Sequence, residues 1–191
     1  VEITADLVKT GLSVSTNIGD SVAAAADANG AVKYDVTLAA VTVDDKGVIR
    51  SCAIDSIPAT LEFDATGAVI SDVTAPVSTK NELGANYGMV AYGNAVAEWD
   101  AQVKAVADYA VGKTVEELKN GDIDMTTGKA KDGTDLQSSA TIYLAGYVYA
   151  IEAAVNNAQH LGAASGDELV LATLPSIKNS TSADAENAGN A

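Results

Sequence analysis

The stretch from Asp132 to Ala158 constrains this chain most, because a polar, glycine-containing turn changes there into a long amphipathic run. Leu144, Val148, Ile151 and Val155 recur at steps of four, three and four, which is one face of a helix. Ala145, Ala150, Ala153 and Ala154 keep the flanks of that face slim, so a helix here is expected to lie close on a sheet. Asp135, Ser138 and Ser139 are N-cap residue types, whose oxygens accept the orphan amide protons of a first helical turn. Thr141 is thereby expected at or near a helix N-terminus, where amides and macrodipole favour a phosphate. The plainer alternative is a capped core helix.

Ahead of that run the pattern is mostly that of strands. Leu12, Val14, Thr16 and Ile18 alternate, and residues 32–43 form the clearest strand, with Val36, Leu38, Ala40 and Thr42 on one face. Asp44-Asp45-Lys46-Gly47 predicts a hairpin turn into a strand over 48–57, since Asp and Gly supply the positive φ angles such turns need. A second hairpin is expected from Leu61 and Phe63 through Asp64-Ala-Thr66-Gly67 to Val69 and Ile70. A helix is predicted over 94–111, with Val96, Trp99, Val103, Val106 and Ala110 as its buried stripe and Gly112 at its end. Trp99 reads as a core anchor. Thr114, Glu116 and Glu117 read as a capping box one residue short of ideal, opening a brief helix to Leu118. Residues 120–134 read as a solvated loop. Asp122, Asp124 and Thr126 alternate like the start of a calcium loop, yet no glutamate closes it where such loops carry their bidentate ligand. The fold class expected is α+β, an antiparallel sheet with two main helices packed on one face.

A family resemblance enters at Asp135-Leu-Gln-Ser138-Ser139-Ala140-Thr141. This segment resembles the Asp-x-x-Ser/Thr-Gly-Ala-Ser/Thr signature of FMN-binding domains. That family includes the flavin subunits of sodium-pumping quinone reductases and the flavolipoproteins of Gram-positive extracellular electron transfer. In it a flavin transferase esterifies the last hydroxyl with FMN. The resemblance implies Thr141 as the acceptor, with Asp135, Ser138 and Ala140 as motif residues around it. Ser139 stands where the family has glycine, and a serine would impede a positive φ or a close approach of phosphate to the backbone. Thr79, Lys80, Glu82, Gly84, Tyr87, Gly88 and Met89 are similar to a loop of the extracellular branch. They imply Glu82, Leu83, Gly84 and Tyr87 as lining of a flavin cleft, the alternative being a surface loop closed by Tyr87 and Met89. Residues 105–118 resemble the helix pair of the same modules. The likeness runs from about Val32 to Ala158 and is specific at 135–141 and 109–118.

What this implies is an extracellular or surface-anchored FMN-binding module, an electron carrier more than an enzyme. Its partners would be the flavin, a flavin transferase and a redox partner. The rest of the composition is compatible. A net charge of -15 argues against nucleic acid and anionic membrane surfaces. One histidine, His160, and one cysteine, Cys52, nearly exclude Ser-His-Asp and Cys-His catalysis, and a single cysteine makes no intrachain disulfide and no cysteine metal cluster. Cys52 reads as a buried, inert thiol, and no metal site is expected.

With 191 residues the chain supports one well-buried domain, placed at 1–161, and its start at Val1 without methionine is expected of a mature or trimmed chain. Residues 162–191 form an extension whose run from Ile177 is similar to the run from Ile18, at an offset of about 160 residues. It reads as the first strand of a tandem copy or as a strand that links subunits, and its STSADAENAGNA end is expected to be disordered unless pinned. The alternative function is therefore a flavin-less surface module that self-associates head to tail through its terminal strand.

Overall fold

The alternating stretches become three strands in the computed structural model, which describes residues 6–183. Strands β1 (Lys9–Asn17), β2 (Gly30–Val43) and β3 (Ile49–Phe63) form an antiparallel sheet in the order β1-β2-β3. The turn after β2 forms as read: Gly47 has φ of 78°, and Asp44 Oδ1 accepts the amides of Lys46 and Val48, each at 2.9 Å. β3 runs past the expected 48–57 and through Pro58. It lies at the edge of the sheet, where a residue without an N–H is tolerated. The second turn also forms, with Asp64 Oδ1 accepting the amides of Thr66 and Ala68. Its far arm makes an isolated bridge between Phe63 and Val69 instead of a strand.

The helices are α1 (Lys80–Leu83), α2 (Met89–Gly93), α3 (Trp99–Ala110), α4 (Val115–Asn120), α5 (Asp135–Ser139) and α6 (Ala145–Asn156). A 3-10 turn over Gly84–Tyr87 joins α1 to α2. The two long helices, α3 and α6, pack on one face of the sheet. Ala39, Val41, Val43, Ile49 and Ile54 meet Trp99, Val103 and Val106 of α3 and Leu144, Val148 and Ile151 of α6 in one buried cluster. The apolar steps of the sequence are thus the inward faces of both helices. The slim flank of α6 also does what its alanines suggest. A Cβ on Gly11 of β1 would stand 1.9 Å from the Ala154 carbonyl oxygen, and Ser13 Oγ donates to Ala150 O at 2.7 Å.

Several boundaries differ from the pattern, each for a local reason. α3 begins at Trp99 instead of 94, because Asn94 takes φ of 49° and Glu98 is extended, which leaves Val96 exposed. The box at α4 is complete: Thr114 Oγ1 accepts Glu117 N at 3.2 Å and Glu117 Oε2 accepts Thr114 N at 2.8 Å. Within 120–134, strands β4 (Ile123–Asp124) and β5 (Lys129–Ala130) form a small hairpin, with Asp124 Oδ1 accepting the amides of Thr126 and Thr127. His160 lies beyond α6, with Nε2 3.3 Å from Asp45 Oδ1.

The chain divides into two compact units. The first holds the described residues up to Ser15, Thr37–Asp55 and Lys80–Ala172, and contains α1 to α6. There the extension after α6 returns beside the chain start: Val8 N donates to Ala163 O, and Ser165 N to Asp6 O. The second holds Thr16–Val36, Ser56–Thr79 and the described tail from Thr173. There Ala183 N donates to Gly67 O at 2.9 Å, and Val69 N to Ser182 Oγ at 2.9 Å. The remainder of the STSADAENAGNA end lies outside the described residues. Among the described residues no helix is long and apolar enough to cross a membrane.

Candidate functional site

Thr141 lies between α5 and α6, three residues before Leu144, the N-cap of α6. Thr141 thus stands near the N-terminus of the long helix and not at it. Ile142 to Leu144 intervene, and Leu144 N is tied to Gly128 O at 2.6 Å. α5 takes up the upstream motif residues. Asp135 is its first residue and is exposed, with Thr134 in the N-cap position. Ser138 and Ser139 are exposed in its last turn, and both hydroxyls donate to Asp135 O. They cap nothing. Ala140 ends the helix and is buried. Ser139 has a negative φ, because Asn94 is the only non-glycine residue with a positive φ among the described residues. The missing glycine therefore strains no backbone here.

What holds Thr141 comes from another element. Gln102 of α3 is fully buried, and its Oε1 accepts Thr141 N at 2.8 Å and Ile142 N at 3.2 Å. Thr141 Oγ1 also donates to it, at a long 3.4 Å. Gln102 Nε2 donates to Ala97 O at 2.7 Å, so every polar atom of the carboxamide is engaged. Thr141 itself stays exposed. A buried amide needs such partners, since an unmet buried polar group costs about 1–3 kcal/mol. Pattern reading passed Gln102 over because it sits inside the apolar stripe, between Trp99 and Val103. A polar residue at that spacing was the available signal.

The second predicted group lies on the same helix. α1, the 3-10 turn and α5 all pack against α3. Glu82 is exposed in α1, Leu83 and Gly84 are half-buried at its junction with the 3-10 turn, and Tyr87 ends that turn half-buried. Gly84 has φ of 48°, a conformation that suits glycine. Lys80 is buried, its ammonium 5.3 Å from the Tyr87 ring centre and 5.4 Å from that of Trp99. Trp99 is the expected core anchor, and its Nε1 donates to Tyr147 OH at 3.0 Å. Glu98 turns its carboxylate back onto the amides of Met89 and Val90, at 2.8 and 3.1 Å, and so closes the loop. The motif and the loop are thus both seated on the first half of α3.

A cleft of about 390 Å³ lies on another side of that helix, lined by Cys52, Ile54, Asn81, Asp100, Lys104 and Asp108 among others. Lys104 follows Gln102 by two residues, about 200° around the helix, so the cleft and Thr141 take opposite flanks. None of the nine residues singled out by resemblance lines it. Burial and the neighbouring Asp108 carboxylate push the Cys52 thiol up to about 12, which keeps it protonated. No protein-family model, no curated protein and no solved structure matches the chain.

Proposed function

We propose that the chain is an extracellular or surface-anchored flavin carrier, an electron-transfer module that holds FMN through a phosphoester on Thr141. The observation that carries this reading is the exposed Thr141 on a loop whose main chain is tied from below by Gln102. A flavin transferase needs a hydroxyl that it can reach without unfolding its substrate, and one that stays in place. This loop supplies both.

The residues suit an ester link and do not suit a phosphate cradle. A phosphate held here without a covalent bond would draw on the amides of Thr141 and Ile142, and both already donate to Gln102. No lysine, arginine or histidine stands among residues 132–143 to offset its charge. The flavin supplies the electron chemistry when attached, and the protein supplies place and shelter. Thr141 is the tether, Ala140 anchors the loop, and Ser138, Ser139 and Asp135 border it. Leu83 and Tyr87 offer apolar surface to a ring, with Glu82 and Gly84 at the margin. A redox partner remains part of the reading.

Intact mass spectrometry of the protein from its native host tests this. A gain of one FMN less water, mapped to the peptide holding Thr141 and lost in Thr141→Ala, is the expected result. An unmodified chain with no flavin colour would sink the reading.

A second reading keeps the fold without flavin, as a surface module that self-associates through its terminal segment. It is favoured by the tail in the second unit, where Ser182 and Ala183 run along residues 67–69. The same bonds made by a neighbour's tail would join copies.

A further inference from the structure

We infer that Gln102 is the positioning residue for the Thr141 hydroxyl, an inference that rests on the flavin-carrier reading. Gln102 has no exposed surface, and nothing in its place in the apolar stripe calls for a carboxamide on packing grounds. A leucine or methionine would fill the same position between Trp99 and Val106. The carboxamide is instead spent on one loop. Its oxygen faces two consecutive amides, and its nitrogen faces the Ala97 carbonyl at the start of its own helix. The orientation is determined by those partners. A reversed amide would set NH₂ against two N–H donors and set oxygen against the Ala97 oxygen.

The consequence for Thr141 is chemical. The Thr141 amide at 2.8 Å and the Ile142 amide at 3.2 Å hold the main chain, whereas the hydroxyl contact of 3.4 Å is long and exchanges readily for another partner. The backbone is tied and the nucleophile is left available. In esterification Thr141 Oγ gains a bond to the FMN phosphorus of a phosphoanhydride donor. The anhydride P–O bond breaks with its nucleotide as leaving group, and the hydroxyl proton passes to a base on the transferase. Misplacing a reacting atom by about 1 Å can cost on the order of 100-fold in rate, so tying the loop matters to that step. Gln102 touches neither the donor nor the new bond and acts through Thr141.

The test uses the whole chain as wild type, Gln102→Met, which keeps length and loses the polar atoms, and Gln102→Glu, which keeps an acceptor for the loop. Each is treated with a flavin transferase and its flavin donor, and the mass gain at Thr141 is followed in time. Amide hydrogen exchange at Thr141 and Ile142 is read on the same untreated proteins. The expected result is a 10- to 100-fold slower gain in Gln102→Met, on the order allowed by mispositioning. It is accompanied by faster exchange at both amides, and Gln102→Glu, which keeps the acceptor for the loop but loses the bond to Ala97 O, falls between Gln102→Met and wild type in both readouts. Equal rates of mass gain in Gln102→Met and wild type would overturn the inference. So would unchanged exchange at Thr141 and Ile142, even with wild type that takes no flavin. Wild type that takes no flavin overturns the carrier reading itself, which separates the two failures.

Discussion

At the scale of single residues, the polar side chains that matter are those that satisfy main-chain donors. Gln102 does so for the loop before α6, Glu98 for the start of α2, and Asp44 for the turn between β2 and β3. Asp44 lends itself to measurement. The amides of Val48 and then Lys46, with Arg50 beside them, hold its carboxyl below the ordinary carboxylate value. A depressed native pKa adds stability above the unfolded-state value, about 3.9, and that stability is lost as pH falls through the native value. Asp44→Asn is therefore expected to lower Tm at pH 7, with the gap to wild type closing in the acid range below about pH 4. A gap that stays constant from neutral to acid pH would mean that the charge of Asp44 contributes nothing. Asp44 was readable beforehand as turn chemistry, and Gln102 was not, because its partners stand 39 and 40 residues away.

At the scale of elements, periodicity identified the faces well and the ends less well. Leu144, Val148 and Ile151 turn inward as their spacing requires, yet α6 starts at Ala145 and leaves Thr141 in a loop. Cap-type residues at 135–139 had two ways to be used, and they form a short helix of their own. The contact that seats α6 on the sheet is narrower than any spacing rule conveys. Gly11 lies under the Ala154 carbonyl, so a methyl group there must push helix and strand apart. Gly11→Ala is expected to destabilise by about 1–3 kcal/mol, the usual range for overpacking. That corresponds to a fall in Tm of roughly 2–4 °C per kcal/mol for a chain of this size. A melting curve that does not move would show that strand and helix separate freely there.

At the scale of the whole molecule, net charge sets the terms of association. A chain with a net charge of -15 repels its own copies, and salt screens that repulsion within about 10 Å at 0.1 M. If tails exchange between copies, the mass measured by light scattering rises with concentration and rises further with added salt. Ala183→Pro removes the N–H that Gly67 O accepts and is expected to abolish the rise. A monomer at every salt concentration would dispose of the self-associating reading and leave the carrier as the sole proposal.

The sequence by itself determined the fold class. Strand alternation, the turn residues at 44–47 and 64–67, and the two apolar helical stripes are local signals, and local geometry obeys them. It also marked the 135–141 segment and the 79–89 loop as unusual. Only the tertiary structure decided that both are seated on α3, that Thr141 precedes its helix instead of beginning it, and that Gln102 holds it there. The physical reason is that a buried carboxamide is recognised by its hydrogen-bond partners, and those come from distant parts of the chain that meet only on folding.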